Sequence, residues 1–502
     1  MDLNVLPMLS CIPSLDGLRL NMSTSHAVRR RLLHRLPLTA LAAAVATVVA
    51  PGTARASGFL TDQFGADHGN PALGNPYSVY FNPAAMAGMA GSDVVLDGVV
   101  GAHDEQFNRT APLSPSSSNN LGNPTYAESN TGNAALFNVL AAPFIGFVTD
   151  FGGSKLRLGV ASYIPFGGQV SWQKNPSYGP SSIDPGGYDG PQRWATISAS
   201  TSSIYETVAL AYKLEKARIG LGVNFSVIRT GITDTRARNT DGSDDILGPT
   251  GGLKEGRTYL DMSGIEVAAA AGVYWEPLRD GSLRLGASYT SAPNFGTMKL
   301  TGTFDLAQGS QTTPISNAAS LVQAYPDLIR FGGAYRISPQ AEVRLDGTWQ
   351  RWSQFNSQCV LQSGFSSCDT NSKGVSQATS GVLLDLPRNW NDSVKLRLGG
   401  ATWVTPETEI WASFAWESSP VENKYQDPLV FDSMRLEGTL GVRRAFTKHI
   451  YASIAYTYIY YLPVTVTNSA YGQYPGVSAS PNENGRYTSE LFILDGAVGY
   501  HF

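Results

Sequence analysis

From about residue 93 to the end, the chain repeats one pattern: eight to fifteen residues alternating apolar with polar or small side chains, then a turn-forming cluster. Strict period-two alternation gives an extended strand two differently solvated faces, so it narrows the possible folds more than composition does. In the last stretch Phe492, Leu494, Val498, Tyr500 and Phe502 share one face, while Asp495, Ala497 and His501 share the other. Leu396 and Leu398 alternate with Lys395 and Arg397, and Leu436, Leu440 and Val442 alternate with Glu437, Thr439 and Arg443. Fourteen strands are expected, near 93–105, 134–150, 155–172, 200–214, 217–230, 259–276, 282–306, 326–338, 340–353, 391–404, 407–420, 434–446, 449–463 and 486–502.

A soluble sandwich also alternates, so loop lengths must decide. Tight turns at Gly152-Gly153, Glu215-Lys216, Asp280-Gly281, Ser338-Pro339, Pro406 and Thr447-Lys448 alternate with extended loops. Short turns on one side and long loops on the other, with an even strand number, are the mark of an outer-membrane barrel. The expected fold class is therefore all-β: a 14-stranded antiparallel transmembrane β-barrel over residues 93–502, with a secreted sandwich or propeller as the alternative. Tyr456, Tyr458, Tyr460, Trp349, Trp416 and Phe502 are candidates for interfacial aromatic belts. With only 15% charged residues, 52 Gly and 23 Tyr, the 502-residue chain fits neither long disorder nor a helical membrane bundle. No block of like charge suggests a nucleic-acid partner.

The N-terminus reads as an export signal. Arg29, Arg30, Arg31 and Arg35 precede an apolar run from Leu36 to Ala50, and Ala54-Arg55-Ala56 supplies a cleavage pattern. Residues 1–56 are assigned to a signal peptide, with Met22 as an alternative start, and the mature chain begins at Ser57. Cleavage removes six Arg and two Asp, leaving 30 basic and 38 acidic residues, a net charge of −8. Two Cys remain, Cys359 and Cys368, in a Ser-rich loop; export favours a disulfide staple over free thiols or a metal site.

Residues 57–92 do not alternate and are rich in Gly, Asn and Pro. A barrel of fourteen strands is wider than its own side chains fill, so this segment is expected to form a hatch (plug) in the lumen, against the alternative of a loose periplasmic leader.

Ser57-Gly58-Phe59, followed by Asn82-Pro83-Ala84, resembles the start of the FadL-type outer-membrane transporters of long-chain fatty acids and other hydrophobic compounds. The resemblance continues in Leu386-Pro387-Arg388-Asn389-Trp390, in the Trp349, Trp352, Ser353 and Phe355 pattern, and in Asn484-Gly485-Arg486-Tyr487. It departs at Asp67-His68-Gly69-Asn70-Pro71, where the family usually carries Gly and Ala. The resemblance implies a hatch that includes Gly58, Phe59 and Leu60 and the motif Asn82, Pro83 and Ala84. It also implies an inward kink in the third strand, here at Pro165, Phe166, Gly167 and Gly168, opening a lateral gap; an ordinary bulge competes.

Apolar positions are odd at Leu283, Leu285 and Tyr289 but even at Met298, Leu300 and Phe304, so a register reset is expected near Pro293. In the loop 307–325, Thr313-Pro314 followed by Ile315, Ala318, Ala319 and Val322 at helical spacing predicts an external helix, a groove for ligand capture or a lid. Arg157, Arg344, Arg397 and Arg435 should face the lumen beside Glu342, Asp346, Glu409 and Glu437, as structural ladders rather than ligand contacts.

Enzymatic readings fail. There is no Gly-x-Ser-x-Gly elbow, the glycines of Gly248 to Gly256 lack a phosphate-loop ending, and His68, His103, His449 and His501 show no metal-binding spacing. Asp241, Asp244 and Asp245 miss the EF-hand pattern. No catalytic residue, cofactor or metal is therefore expected. The resemblance implies passive uptake of hydrophobic molecules, long-chain fatty acids first and aromatic or alkane hydrocarbons second, across a Gram-negative outer membrane. The rival is a surface barrel for adhesion or phage attachment. Expected partners are hydrophobic small molecules, outer-membrane lipids and lipopolysaccharide, and the barrel-assembly machinery through Phe502.

Overall fold

The computed structural model of the protein describes residues 63–110, 128–178, 185–311, 313–365, 368 and 381–502. The expected signal peptide and Gly58, Phe59 and Leu60 lie outside the described residues.

Fourteen antiparallel strands close on themselves, each paired with its chain neighbour and the first with the last. They are β1 (Ser92–Arg109), β2 (Gly132–Thr149), β3 (Leu156–Ser171), β4 (Ser198–Leu214), β5 (Ile219–Arg238) and β6 (Gly256–Trp275). Four interrupted strands follow: β7 (Leu283–Thr290 and Thr297–Ala307), β8 (Ile315–Ala324 and Leu328–Ser338), β9 (Ala341–Gln350 and Ser357–Gln362) and β10 (Val382–Pro387 and Ser393–Thr405). The wall ends with β11 (Thr408–Glu417), β12 (Arg435–Ala445), β13 (Ile450–Val466) and β14 (Gly485–His501). Closure pairs the first strand with the last, so the sheet has no open edge strand for lipid to meet.

The alternation is inside-out relative to a soluble protein. Leu96, Val223, Leu440 and Val498 are exposed, whereas Asp97, Asn224, Glu437 and Asp495 are buried in the lumen. An apolar exterior over a polar interior is what a bilayer selects.

Above that band the wall inverts. On the upper β7 segment Met298, Leu300 and Phe304 are buried, while Thr297, Lys299, Thr301 and Thr303 face out. The expected register reset occurs, since β6 pairs Ala270 with Thr290 below the turn Pro293–Phe295 and Ser263 with Thr301 above it. The shift is an even number of residues, so odd positions stay outward past Pro293 and the parity is kept. What changes is the solvent, because beyond the bilayer the apolar residues belong inside.

The expected helix is corrected too. Ile315–Ala324 is a strand, laddered to the upper β7 segment by pairs such as Thr303↔Ala318 and to the upper β9 segment by pairs such as Val322↔Cys359. Two waiting strand edges supply more backbone bonds than a short isolated helix, whose nucleation is costly. Ile315 and Ala318 are exposed, Ala319 is buried, and Val322 is half-buried against the cluster holding Cys359 and Cys368.

Residues 63–91 fold inside the ring. Asn82 caps the 3-10 turn Pro83–Gly88 by accepting from the Ala84 amide at 3.1 Å, and its Nδ2 donates to the carbonyls of Pro71 (2.8 Å) and Val273 of β6 (3.0 Å). The seat is made of missing side chains: a Cβ on Gly286 would lie 2.0 Å from the Pro71 oxygen, and one on Gly222 would lie 2.3 Å from the Ala84 nitrogen. Glycine weakens a strand interior, but only glycine lets the segment's backbone approach this closely.

Candidate functional site: an apolar chamber and a gap in the wall

The chamber lies in the inverted part of the lumen. It is lined by Val170, Ile232, Leu260, Phe304, Leu321 and Leu384, with Leu429 and Val430 from the β11–β12 loop beside them. Among its polar groups Arg236 donates to Asp234 at 2.6 Å, and Gln358 accepts from Arg388 at 2.6 and 2.8 Å. Burial disfavours the charge on Arg388, yet Asp427 and Tyr471 beside it raise its pKa above the ordinary value.

Pro165, Phe166, Gly167 and Gly168 sit where the wall comes apart. β2 and β3 ladder from Thr149↔Leu158 to Phe144↔Tyr163 and then stop. Above that, among the described residues, an Asn138 side-chain bond to the Gln169 carbonyl (3.0 Å), the bridge Leu136↔Trp172 and the Gln173 amide to the Ala135 carbonyl (2.9 Å) span the two strands. On its other edge β3 bulges between Tyr163 and Phe166 against β4. The sequence reading missed Pro143, on β2 immediately above Phe144, where the ladder ends. A proline on each lip, Pro143 and Pro165, removes two ladder donors at one level, a signal visible in the sequence.

A small apolar space occupies the gap, bounded by Leu140 and Ala142 of β2, Ile164 and Gly167 of β3, Val99 of β1 and Phe64 of the plug. Gly168 borders the chamber and Gly167 borders the gap, so one peptide unit separates the two spaces. Aromatic rings line this junction. Phe166 stacks on Tyr325 at 5.0 Å, and Phe64 stacks on Phe144 at 4.8 Å and meets Tyr163 at 5.5 Å.

The lumenal charges form ladders. Arg397 donates to Asp346 (2.9 Å) and to the plug carbonyls of Ala66 (3.0 Å) and Gly69 (2.8 Å). Arg157 holds the Met89 carbonyl at 2.9 Å, Arg344 pairs with Glu342 and Glu409, and Arg435 pairs with Glu417 and Asp432. Asp67 and His68, where the chain departs from the family pattern, also bind the wall, through Ser413 (2.5 Å) and Glu409 (3.2 Å). The acidic loop around Asp241 carries its own cation: Lys254 Nζ lies 2.7 Å from Asp241, 2.9 Å from Asp245 and 2.8 Å from the Ser243 hydroxyl. Cys359 and Cys368 are joined by a disulfide.

A closed wall with an apolar exterior, a folded plug and an apolar chamber beneath external loops defines an outer-membrane channel. Residues 40–502 match the outer membrane protein transport protein family (OMPP1/FadL/TodX), and the chain belongs to that family. Among solved structures it is similar to a Pseudomonas aeruginosa FadL homologue, with TM-score 0.70 and 17% identity over 89% of this chain and 100% of that one. It is also similar to the Ralstonia pickettii toluene transporter TbuX, with TM-score 0.57 and 16% identity over 90% and 99% of the two chains. The Pseudomonas putida toluene transporter TodX gives TM-score 0.56 and 14% identity over 89% and 96%. A curated relative named as an outer membrane protein, NMB0088 of Neisseria meningitidis serogroup B, is 27% identical over 136 residues, 27% of this chain and 28% of that protein. The protein is thus an outer-membrane transport protein built on a closed β-barrel.

Proposed function

We propose that the channel takes up long-chain fatty acids, holds them in the chamber and releases them sideways through the gap between β2 and β3. The observation that carries this reading is that chamber and gap flank the single Gly167–Gly168 peptide, while the plug fills the lumen at Asn82. The lining is mostly aliphatic, and each methylene removed from water contributes roughly 0.8 kcal/mol, so an acyl tail gains enough to leave solution. Capture begins on the upper β8 segment, where Ile315 and Ala318 are exposed and Ala319 and Leu321 are buried. Outer-membrane lipids and lipopolysaccharide surround the wall, and Phe502 is the residue offered to the barrel-assembly machinery. The chain catalyses no reaction, and flux follows the concentration gradient.

A monoaromatic substrate is the second reading. It is favoured by the ring cluster Phe166, Tyr325, Trp352 and Trp390, and by the toluene transporters among the similar structures. Competition between oleate and toluene for uptake in one strain separates the two.

The test of the route is to rebuild the wall. Pro165→Thr, Gly167→Val and Gly168→Thr together restore a ladder-competent strand. Fatty-acid uptake is expected to fall about tenfold or more while binding at the surface persists, since one closed step of about 1.4 kcal/mol already has that effect. Uptake at the wild-type rate with a reformed β2–β3 ladder would refute sideways release.

A further inference from the structure

Arg388 lies in the interruption of β10, between Pro387 and Ser393, and is fully buried. Its guanidinium reaches three separate parts of the extracellular half. Nε and Nη2 donate to Gln358 Oε1 of the upper β9 segment, at 2.8 and 2.6 Å. Nη1 donates to the Tyr471 hydroxyl of the β13–β14 loop at 3.2 Å and is paired with the Asp427 carboxylate of the β11–β12 loop.

Asp427 is the informative partner. Its Oδ1 accepts the amides of Leu429 (2.8 Å) and Val430 (3.1 Å), the two residues that bring the loop against the chamber. One carboxylate therefore shapes the loop tip with one oxygen and ties it to the wall with the other. The ends of the loop are held by backbone bonds, from Asn391 N to Pro420 O (2.8 Å) and from Leu462 N to Met434 O (2.9 Å). The tip is held by side chains, the Arg388–Asp427 pair and the stacking of Phe431 on Tyr487 (5.3 Å), which can let go and re-form without unravelling a ladder. Gln358 lines the chamber and also donates to Gln323 at 2.8 Å, so the pull of Arg388 reaches the chamber wall as well as its roof.

We propose that Arg388 is a positioning residue that latches residues 427–430 down as a movable roof over the chamber, and that the Arg388–Asp427 pair opens when ligand enters from outside. This rests on the reading of the chamber as the ligand site. Arginine suits the task and lysine does not, because a planar fork can hold Gln358 and Asp427 at once whereas an ammonium is a single point.

The experiment uses the full-length protein in detergent with cis-parinaric acid, a fluorescent fatty acid, as the probe. Stopped-flow binding and release are read beside chymotryptic cleavage after Leu429, which lies in the roof itself, followed by mass spectrometry. Arg388→Gln and Asp427→Asn are expected to speed probe binding, probe release and Leu429 cleavage alike by about tenfold, the equivalent of one charge-assisted hydrogen bond. Arg388→Lys should fall between these and wild type, and saturating probe should slow cleavage of the wild type. Leu260→Trp, which fills the chamber, should abolish probe binding with the cleavage rate unchanged. Should Arg388→Gln fail to give a folded barrel, Asp427→Asn decides the matter, since its side-chain oxygen can still accept the Leu429 and Val430 amides while the ion pair is lost. Wild-type exchange and cleavage rates in a folded Asp427→Asn protein would overturn the latch. If wild type binds no probe, the fatty-acid reading fails, and the relative cleavage rates still decide the roof.

Discussion

At the scale of the residue, the side chains that fix the plug could be named from sequence only in part. Asn82 stood out by its motif, and its bonds to Pro71 and Val273 explain why an amide is required: it donates twice and accepts once in a site closed to water. Gly222 and Gly286 did not stand out, because a glycine that makes room for a distant backbone looks like any other strand glycine. The external loops hold a further buried group with a measurable consequence. Both carboxyl oxygens of Glu483 lack a hydrogen-bond partner among the described residues. Burial, opposed by Arg109 and reinforced by Asp427 and Asp244, pushes its pKa from 4.5 up to about 8. The folded protein therefore retains a proton that the unfolded chain would release, so this stabilisation is complete below the ordinary carboxylate range and is lost as pH rises through about 8. Thermal melting should fall in temperature between pH ~6 and ~9, and Glu483→Gln should flatten that dependence. A melting profile that Glu483→Gln leaves unaltered would show that the carboxyl is solvated.

At the scale of the element, the fourteen strands and their alternating connections were legible because the bilayer imposes one rule on every strand. The sequence reading went astray where that rule stops. Met298, Leu300 and Phe304 break the odd-numbered apolar pattern without any change of parity, because they are buried, as apolar residues are above the membrane. Ile315, Ala318, Ala319 and Val322 share a helical spacing, but periodicity cannot report that two strand edges stand open beside them. The upper β9 segment that supplies one of those edges carries Cys359, bonded to Cys368 nine residues on. A closed loop of about ten residues restrains the unfolded chain by about 2–3 kcal/mol in the chain-entropy account. Replacing both cysteines by alanine should therefore loosen the upper β8–β10 segments while sparing the lower wall. Hydrogen exchange should quicken in Ile315–Ala324 and Ser357–Gln362 and stay unchanged in Ala341–Gln350. Uniform exchange across both halves would mean that the staple serves the whole barrel or nothing at all.

At the scale of the whole molecule, wall and plug are two structures with different debts to each other. The wall's hydrogen-bond cycle runs from β1 through β14 and back without passing through residues 63–91. The plug, by contrast, is held by the wall on several sides: Tyr77 donates to Asp97 at 2.6 Å, Asn224 donates to the Val79 carbonyl at 2.7 Å, and Arg157 and Arg397 hold its other carbonyls. Removing residues 63–89 should leave a folded barrel, recognisable by its heat-modifiable migration in gels, because no strand loses a ladder partner. It should also leave those four wall side chains facing water in an unblocked lumen. Such a protein is expected to conduct ions steadily in planar bilayers, where the intact channel does not, and to lose selective fatty-acid uptake as solutes pass straight through. If it inserts and stays closed, the seal lies in the external loops, and the plug is a seat for the chamber rather than the barrier beneath it. If it cannot fold, the glycine seats and buried charges need the plug as their solvent, and the two structures form a single cooperative unit.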